Sequence, residues 1–534
     1  MLVKTRPALA LALALPALLA SSARAQEPPV LNLSLDEAVK RALEKNLDIA
    51  VERFNPEASG LSVKSARSVY DPLFTSAVDQ TSAANPSANT FQATSTDTTR
   101  FNFGVAQYMP TGASLNLGFT NTRSDSNEPF ATFNPRYLSS LSLGLTQPLL
   151  RDFRIDANRY QIRVAKRNQE ISDIQFRQTV INTLASVKQL YYDLIFAIDN
   201  LEAQKKSLTL GRKLLDENQI KVRVGTMAPL DVVAAESEVA SREEGAITAE
   251  AALADAEDAL RRAIFDGSDP EMWALRIVPS DRPSAEQVPV DVEAAMKKAL
   301  EGRTDVVAAR KSLENTEASL TLARNQALPS LNLVASYGAA GLGGTRFERG
   351  DDPLGPVLET IPGGYSDALS EVFARDFPTW SLGVRVSYPI LNRSASAAKA
   401  RAQVSLEQAT VSLHRLEMQI TTEVRSAARS VESNYKRVES TRAARVLQQR
   451  RLDAEEKRFA AGMSTNFLVT QAQRDLALAE VAELRAVADY RKSQVNFEKV
   501  QEAGGGLSFA SAASSSVTSR SSTSTASSGG STQQ

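Results

Sequence analysis

The sequence predicts a mixed α and β protein that is built from an internal duplication and combines two-faced strands with very long helices. Three observations lead to this prediction. The chain resembles itself at a nearly constant spacing, apolar residues in its helical stretches recur every seven positions, and apolar residues elsewhere recur every second position. A period of seven is typical of packed helices, and a period of two is typical of strands with one apolar face.

The duplication is visible as a match between the two halves of the chain. Several positions of the first half recur in the second half in the same order and at almost the same separation: Leu43 with Leu300, Ala66 with Ala323, Pro72 with Pro329, Val187 with Val424, and Gly225 with Gly462. We therefore predict a first structural repeat at residues 26–280 and a second at residues 281–503. Repeats of this size are large supersecondary units rather than the turns of a solenoid.

Long helices are predicted at residues 154–265 and 393–500, and shorter ones at 35–70 and 290–327. The first long stretch carries an apolar heptad seam: Val187, Leu194, Leu201, Leu208, Leu215 and Val222. The second stretch has a matching seam that one arginine interrupts: Val424, Val431, Val438, Arg445, Leu452 and Phe459. A sustained seven-residue repeat indicates helices packed with a left-handed supercoil. About 70 helical residues would extend roughly 100 Å, far more than a globular domain requires.

Strands are predicted at residues 73–147 and 330–389. Their alternation is clearest where Trp380, Leu382 and Val384 are interleaved with Ser381 and Gly383. One face of such a strand is apolar, and the opposite face is small and polar, which suits a wet lumen better than a packed core. Stretches rich in Gly, Ser, Asn and Pro at 81–89, 124–134 and 338–377 predict loops. The run GLGGTRFERG at 341–350 is predicted to be a flexible surface loop.

The two ends of the chain have distinctive compositions. Lys4 and Arg6 precede a short apolar run that ends before Ala23-Arg24-Ala25, which predicts a signal peptide at residues 1–25. Residues 504–534 are rich in Gly and Ser and predict a disordered tail. The apolar runs are too short for a membrane helix, so a membrane location would require a closed β-barrel, in which every backbone polar group is paired.

These features together resemble the outer-membrane efflux protein family, also called the TolC family. The most specific parts are the helix turns RVGTMAPLDV and AAGMSTNFLVTQAQRDL and the strand-to-helix junctions QPLL and YPIL. The resemblance implies a homotrimer that closes one twelve-stranded transmembrane β-barrel in the outer membrane, continuous with a long α-helical barrel in the periplasm. Two additional candidate strands, at 100–108 and 113–121, form either an extracellular hairpin or an enlargement of that barrel.

The resemblance also implies a function. Members of the family act as the exit duct of a tripartite efflux or type I secretion system, which conducts substrates passively from the periplasm or a pump to the exterior. The implied partners are a periplasmic adaptor, an inner-membrane pump through that adaptor, and outer-membrane lipid. The sequence is compatible with drug, metal, protein or polysaccharide cargo. The alternative is a periplasmic coiled-coil scaffold or interaction protein that has no pore.

In the family, the Gly-containing turns are the periplasmic tips that narrow the tunnel and touch the adaptor. The resemblance therefore gives these candidates for adaptor docking: Val224, Gly225, Thr226, Ala461, Gly462 and Met463. It gives these candidates for the gate: Asp231, Ser464, Leu468 and Gln471.

The gate candidates depart from the family pattern. Asp231 matches an aspartate that the family ties to an arginine, but Ser464 stands at the position of that arginine. Leu468 and Gln471 stand where the family has acidic residues, which favours a hydrophobic constriction at Leu468. By itself, Asp231 is also typical of a carboxylate that stabilises the start of a helix.

Composition excludes several other classes of function. The 61 basic and 62 acidic residues nearly cancel, which argues against a nucleic-acid partner, and the absence of cysteine excludes disulfides and thiolate chemistry. The single histidine, His414, is expected on a predicted helix as a surface or packing residue rather than a metal ligand, because metal sites need several convergent donors. We expect no catalytic residues, no metal and no cofactor, and therefore no enzymatic activity.

Overall fold

The computed structural model of the protein describes residues 30–86, 91–267, 270–350 and 354–504. The predicted signal peptide and the predicted tail beyond Gly504 lie outside the described residues. The helices are α1 (Leu35–Lys45), α2 (Leu47–Glu52), α3 (Phe54–Arg67), α4 (Ala157–Arg223), α5 (Pro229–Ile264), α6 (Val292–Gly302), α7 (Thr304–Gln326), α8 (Tyr365–Ala374), α9 (Arg393–Ala460) and α10 (Asn466–Glu502). The strands are β1 (Val30–Leu33), β2 (Leu73–Ala84), β3 (Ser95–Tyr108), β4 (Ser114–Ser126), β5 (Phe133–Pro148), β6 (Arg276–Pro279), β7 (Ser330–Glu348), β8 (Glu359–Ile361) and β9 (Phe377–Ser387).

The described residues fall into two compact units. The first unit, which we call the helical unit, comprises residues up to Ala50, Thr183–Pro289 and Ser430–Val495. The second, the sheet unit, comprises Val51–Asn182, Val290–Arg429 and the residues from Asn496 onward.

The helical unit has a hydrophobic core where α1 packs against α4 and α5. The fully buried Ala38 and Ala42 of α1 lie there beside Tyr191, Leu194 and Leu260. Small residues on α1 allow this close packing of helices. The Tyr191 hydroxyl donates a hydrogen bond of 3.0 Å to the carbonyl of Leu33, and burial raises the pKa of Tyr191 to about 12.

The apolar heptad seam of α9 is buried at every position except the last, Phe459, which is half-buried. Val424, Val431, Val438 and Leu452 are all buried, and Arg445 at the interrupted position donates from Nε to the Glu483 carboxylate. The seam of α4 is buried only at Val187, Leu194 and Leu201, after which the buried positions change to Ser207, Leu214 and Asn218. An α-helix has 3.6 residues per turn, so a strict period of seven drifts around it unless the helix supercoils continuously.

The sheet unit is organised around an antiparallel sheet in the order β2-β3-β4-β5-β7, with β9 and the short β8 both pairing with β7. The chain enters this sheet from α3 at Leu73 and from α7 at Ser330, and it leaves at Pro148 towards α4 and at Ser387 towards α9. The register places all four positions at the same end of the sheet, which we call the helix end. The β2–β3 and β4–β5 turns lie at the opposite end.

The predicted loop at 338–377 is wrong over much of its length. Residues 338–348 continue β7, and Tyr365–Ala374 form α8. The glycines of GLGGTRFERG are needed because α8 lies directly on the strand: a Cβ at Gly341 or Gly343 would collide with the carbonyl oxygens of Ala368 and Gly364. Composition predicted a flexible loop, whereas the glycines serve the close approach of a helix to a strand.

Helix α8 also accepts a hydrogen bond from one backbone N–H of β7 beyond the end of β9. Strand β9 stops pairing at Ala340, and beyond it the Leu342 N–H donates to the Glu371 carboxylate of α8 at 2.8 Å. The other predicted loops are shorter than expected, because β2 continues to Ala84 and β4 to Ser126.

A second hydrophobic core lies in the sheet unit, where Ala295 and Ala299 of α6 pack against Ile420 and Val424 of α9. The fully buried Arg303 lies nearby. Its guanidinium donates to Glu423 at 2.6 Å and to the Val500 carbonyl at 3.2 Å, and it is 3.0 Å from the Asp305 carboxylate. These partners compensate much of the desolvation cost of burying the charge.

Candidate functional site

The turn between α4 and α5 ends α4 with a Schellman motif. Gly225 has a φ of +77°, its N–H donates to the Val222 carbonyl at 3.0 Å, and the Thr226 N–H donates to the Lys221 carbonyl at 2.9 Å. The positive φ explains the glycine, since other residues are strained in this conformation. Pro229 is the first residue of α5, where its missing N–H leaves no hydrogen bond unmade.

The turn between α9 and α10 repeats this arrangement. Gly462 has a φ of +75°, its N–H donates to the Phe459 carbonyl at 3.2 Å, and the Met463 N–H donates to the Arg458 carbonyl at 2.8 Å. Thr465 then caps α10, because its hydroxyl accepts from the Leu468 N–H at 3.4 Å. The two turns are therefore built by the same backbone hydrogen bonds.

All six candidate docking residues are solvent-exposed in the single chain. Val224 is 65% exposed and Met463 is 74% exposed, and a Cβ added at either turn glycine would meet no atom within 4 Å. Each turn presents one large apolar side chain that is available for contact with a partner. The turns are thus open, apolar and held in a fixed conformation by their backbone hydrogen bonds.

The helices on either side of the turns are joined by specific contacts. The Lys221 ammonium lies 3.6 Å from the centre of the Phe459 ring, so the ends of α4 and α9 make a cation–π contact. The Asn466 side chain donates to the Asp231 backbone carbonyl at 3.5 Å, which joins the starts of α10 and α5. Neither Lys221 nor Asn466 was a candidate from the sequence, and Phe459 was predicted only as a member of the heptad seam.

Asp231 and Ser464 do not contact each other. Asp231 lies in the first turn of α5, the position expected of a carboxylate that stabilises the positive end of a helix. The hydroxyl of Ser464 hydrogen-bonds to the Glu455 carboxylate on α9. Ser464 therefore stabilises its own turn and does not pair with Asp231.

Leu468 and Gln471 lie on the exposed side of α10, while Val469, Ala472 and Leu476 are buried. Positions three residues apart share one face of a helix. Leu468 and Gln471 are therefore available to a second molecule or to the lumen of an assembly.

Farther along α5, a buried charge network joins three helices. Arg242, only 7% exposed, donates to Glu238 of its own helix at 3.0 Å, to the Ser207 carbonyl of α4 at 2.9 Å and to Gln473 of α10 at 3.2 Å. Arg474 of α10 also donates to the Glu238 carboxylate. We call Glu238, Arg242, Gln473 and Arg474 the charge clamp.

The charge clamp depends on space for the Arg242 side chain and on a Glu238 carboxylate that stays ionised. Gly211 of α4 leaves room for the arginine stem, because a Cβ there would be 3.0 Å from the Arg242 Cδ. Burial acts to raise the pKa of Glu238, but the hydrogen bonds and charges of Arg474 and Arg242 outweigh it and hold that pKa below its usual value.

The single histidine has an acidic neighbour. His414 is exposed, and its Nδ1 lies 3.2 Å from Glu417. The described part of the chain contains no group of three or more His, Cys, Asp or Glu side chains that could hold a metal ion. None of the described helices is both long enough and apolar enough to cross a membrane.

Several solved structures share this fold. They include the outer-membrane channel OprN, with a TM-score of 0.63 and 17% identity over 88% of this chain and 90% of that one. CmeC of Campylobacter jejuni has a TM-score of 0.60 and 16% identity over 88% and 85% of the two chains. MtrE of Neisseria gonorrhoeae, in its open state, has a TM-score of 0.59 and 16% identity over 88% of each chain. The fold is therefore that of an outer-membrane channel protein.

Sequence comparison identifies the family. The model of the outer membrane efflux protein family matches residues 38–264 and 295–500, which is more than half of the chain, and the chain belongs to this family. The outer membrane protein TolC of Vibrio cholerae is 26% identical over 174 residues, which are 32% of this chain and 39% of TolC. The matched segment thus spans less than half of that relative. The resemblance inferred from the sequence is confirmed.

Proposed function

We propose that the protein is an outer-membrane exit duct of a tripartite efflux or type I secretion system, which conducts substrates passively from the periplasm or a pump to the exterior. The observation that carries this proposal is the two-faced sheet in a chain of the outer membrane efflux protein family. One row across the sheet is apolar on every long strand: Phe74, Val105, Leu117, Leu143, Tyr337 and Trp380. The next row is small on every strand: Thr75, Gly104, Gly118, Ser142, Gly338 and Thr379.

These two faces suit a membrane wall. The apolar row would face lipid and the small row would face a water-filled lumen. The rival, a periplasmic coiled-coil scaffold without a pore, would have to bury one of these faces in a soluble core. Trp380, Leu382, Val384 and Val386 of β9 are all largely exposed in the single chain, which favours a lipid-facing role.

The same chain offers surfaces for further copies of itself. In the described residues, β2 pairs only with β3 and β9 pairs only with β7, so each has one free edge. Open strand edges are not tolerated in lipid, so closure requires further copies, and a homotrimer follows from the family resemblance. Helix α9 also exposes apolar side chains at a spacing of seven residues, Val404, Val411 and Met418, which suits a helix of a neighbouring copy.

Within this proposal, the sheet crosses the outer membrane and the long helices form a barrel in the periplasm. The two turns would meet a periplasmic adaptor, through which an inner-membrane pump acts, and the duct itself would carry out no chemical reaction. The two separate matches to one family model support an origin by internal duplication.

Surface labelling distinguishes the duct from the scaffold. The chain contains no cysteine, so Glu128→Cys introduces a single thiol in the β4–β5 turn, at the end of the sheet opposite the helix end. We expect an impermeant thiol reagent to label this variant in intact cells and detergent to be required for its extraction. Absence of labelling in cells that contain the protein, together with extraction by salt alone, would support the scaffold.

Leu468→Ser tests the proposed gate. Leu468 is 40% exposed on α10, and as a constriction it would repel water and polar solutes. We expect the serine variant to increase the entry of a large antibiotic, measured as a lower inhibitory concentration in cells. Leu478→Ser, at another exposed position of the same helix, is the matched control and should leave permeability unchanged. Equal permeability in both variants would show that Leu468 is not part of the gate.

A further inference from the structure

The hairpin of β3 and β4 lies inside the sheet rather than beyond its end. Strand β3 pairs with β2 from Leu73↔Ala106 to Ala84↔Ser95, and β4 pairs with β5 from Ser114↔Thr146 to Ser124↔Arg136. The two strands pair with each other along nearly their whole length. An extracellular hairpin would instead leave β2 paired directly with β5.

The turn of this hairpin lies at the helix end of the sheet. The Thr111 carbonyl accepts hydrogen bonds from Gln147 at 3.2 Å and from Arg159 at 3.4 Å. Arg159 belongs to the first turn of α4, so the hairpin extends down to the level at which the chain leaves the sheet. The hairpin therefore spans the full height of the wall.

From the helix end up to Phe103 and Phe119, both faces of the sheet continue through the hairpin. Above this level Tyr365 of α8 covers the apolar face, where its ring meets Phe101 and its hydroxyl donates to Asn121. On the apolar face, Phe103 is paired with Phe119 and its ring stacks on Phe74 of β2, with centroids 6.3 Å apart. On the small polar face, the Thr120 hydroxyl is hydrogen-bonded to that of Ser140 on β5 at 2.6 Å. A hairpin outside the membrane would have no need for an apolar face aligned with that of its neighbours.

We propose that each copy contributes six strands to the barrel wall, namely β2, β3, β4, β5, β7 and β9. This inference rests on the proposed trimeric duct: three copies of six strands close a barrel of eighteen strands. Barrel diameter grows roughly linearly with strand number, so the pore is about one and a half times as wide as one of twelve strands. Glycine, serine and threonine on the lumen face keep this width open.

The proposal defines a class of cargo. A wider barrel, lined mainly by small and neutral polar side chains with charges at Asp79, Arg100 and Arg385, admits bulky hydrophilic solutes that a twelve-stranded barrel excludes by size. The outer-membrane segment then discriminates little between solutes. The helix turns and the pump determine which solutes are exported. We expect neutral polyethylene glycols to enter the pore up to a larger size than in a twelve-stranded member of the family.

Three single-cysteine variants in planar bilayers test the place of the hairpin. Thr120→Cys puts a thiol on the lumen face of β4, Phe119→Cys puts one on the lipid face beside it, and Ser142→Cys puts one on the lumen face of β5, which is part of the wall in either arrangement. We expect a cationic methanethiosulfonate reagent to reduce the current of Thr120→Cys and Ser142→Cys in discrete steps, one for each copy. The current of Phe119→Cys should not change.

The outcomes separate the hairpin from the duct. A reduced current with Ser142→Cys but an unchanged current with Thr120→Cys would place the hairpin outside the wall and overturn this inference while leaving the duct intact. A reduced current with Phe119→Cys would overturn the assignment of the faces. If the unmodified protein forms no channels under any voltage, the duct itself fails, and the inference fails with it.

Discussion

Replacing Gly225 and Gly462 together by tryptophan is expected to reduce export to the level of cells that lack the protein. Both glycines end a helix at positive φ, and a side chain added at either position enters open space around the single chain. Tryptophan would therefore project from the surface that we propose docks the adaptor, without displacing atoms of its own chain. Export of a fluorescent dye, measured together with the amount of oligomer in the outer membrane, tests this expectation.

Gly225→Ala with Gly462→Ala is the matched control. Alanine carries the same backbone penalty, roughly 1–2 kcal/mol for each left-handed residue, but adds only a methyl group. We expect this variant to assemble and to export nearly as well as the natural protein. If alanine abolishes export as completely as tryptophan does, strain in the turn explains the loss and the proposed docking surface is wrong.

The turns could be found from the sequence because their chemistry is local. A Schellman motif requires positive φ, and glycine adopts it without strain, so Gly225 and Gly462 mark helix ends wherever they stand between helical patterns. The heptad seam of α9 could also be predicted from the sequence. Val431, Val438 and Leu452 lie on one face of the helix, and that face is buried.

Other features depended on contacts that no local pattern encodes. From composition, the glycines at 341–344 predicted a loop. The strand needs glycine there because α8 packs directly against it, and no local pattern shows where α8 lies. The charge clamp was missed because Glu238 and Arg474 are 236 residues apart in the chain, and each alone looks like a charged residue on a solvated helix. The place of the β3–β4 hairpin was likewise open, because alternation predicts a strand but not its neighbours.

Glu238→Gln is expected to loosen the packing of α4, α5 and α10 and to increase passage through the periplasmic end of the proposed duct. The substitution keeps the shape of the side chain but leaves Arg242, which is buried, without an anionic partner. Its remaining partners there, the Ser207 carbonyl and Gln473, are neutral. Removing one partner of a buried ion pair typically costs about 3–5 kcal/mol. Thermal unfolding of the purified protein and entry of a large antibiotic into cells measure the two effects.

Glu243→Gln on the same helix is the matched control for the charge clamp. Glu243 pairs with Arg212 at 3.3 Å, but both side chains are more than half exposed, so that pair is worth about 0–1 kcal/mol. We expect Glu243→Gln to have little effect on either measurement. Equal losses in the two variants would show that the charge clamp does not restrain the helices.

Acid should reproduce the effect of Glu238→Gln in the natural protein. The pKa of Glu238 is lower in the folded chain than in the unfolded one, so its contribution to stability is fully present above about pH 4.3, the ordinary value for glutamate. That contribution is lost as the pH falls through the lower pKa of the folded state. The difference in stability between the natural protein and Glu238→Gln should therefore be constant near neutral pH and shrink in this acidic range. A difference that is unchanged in acid would mean that Glu238 stabilises the helices by its shape rather than by its charge.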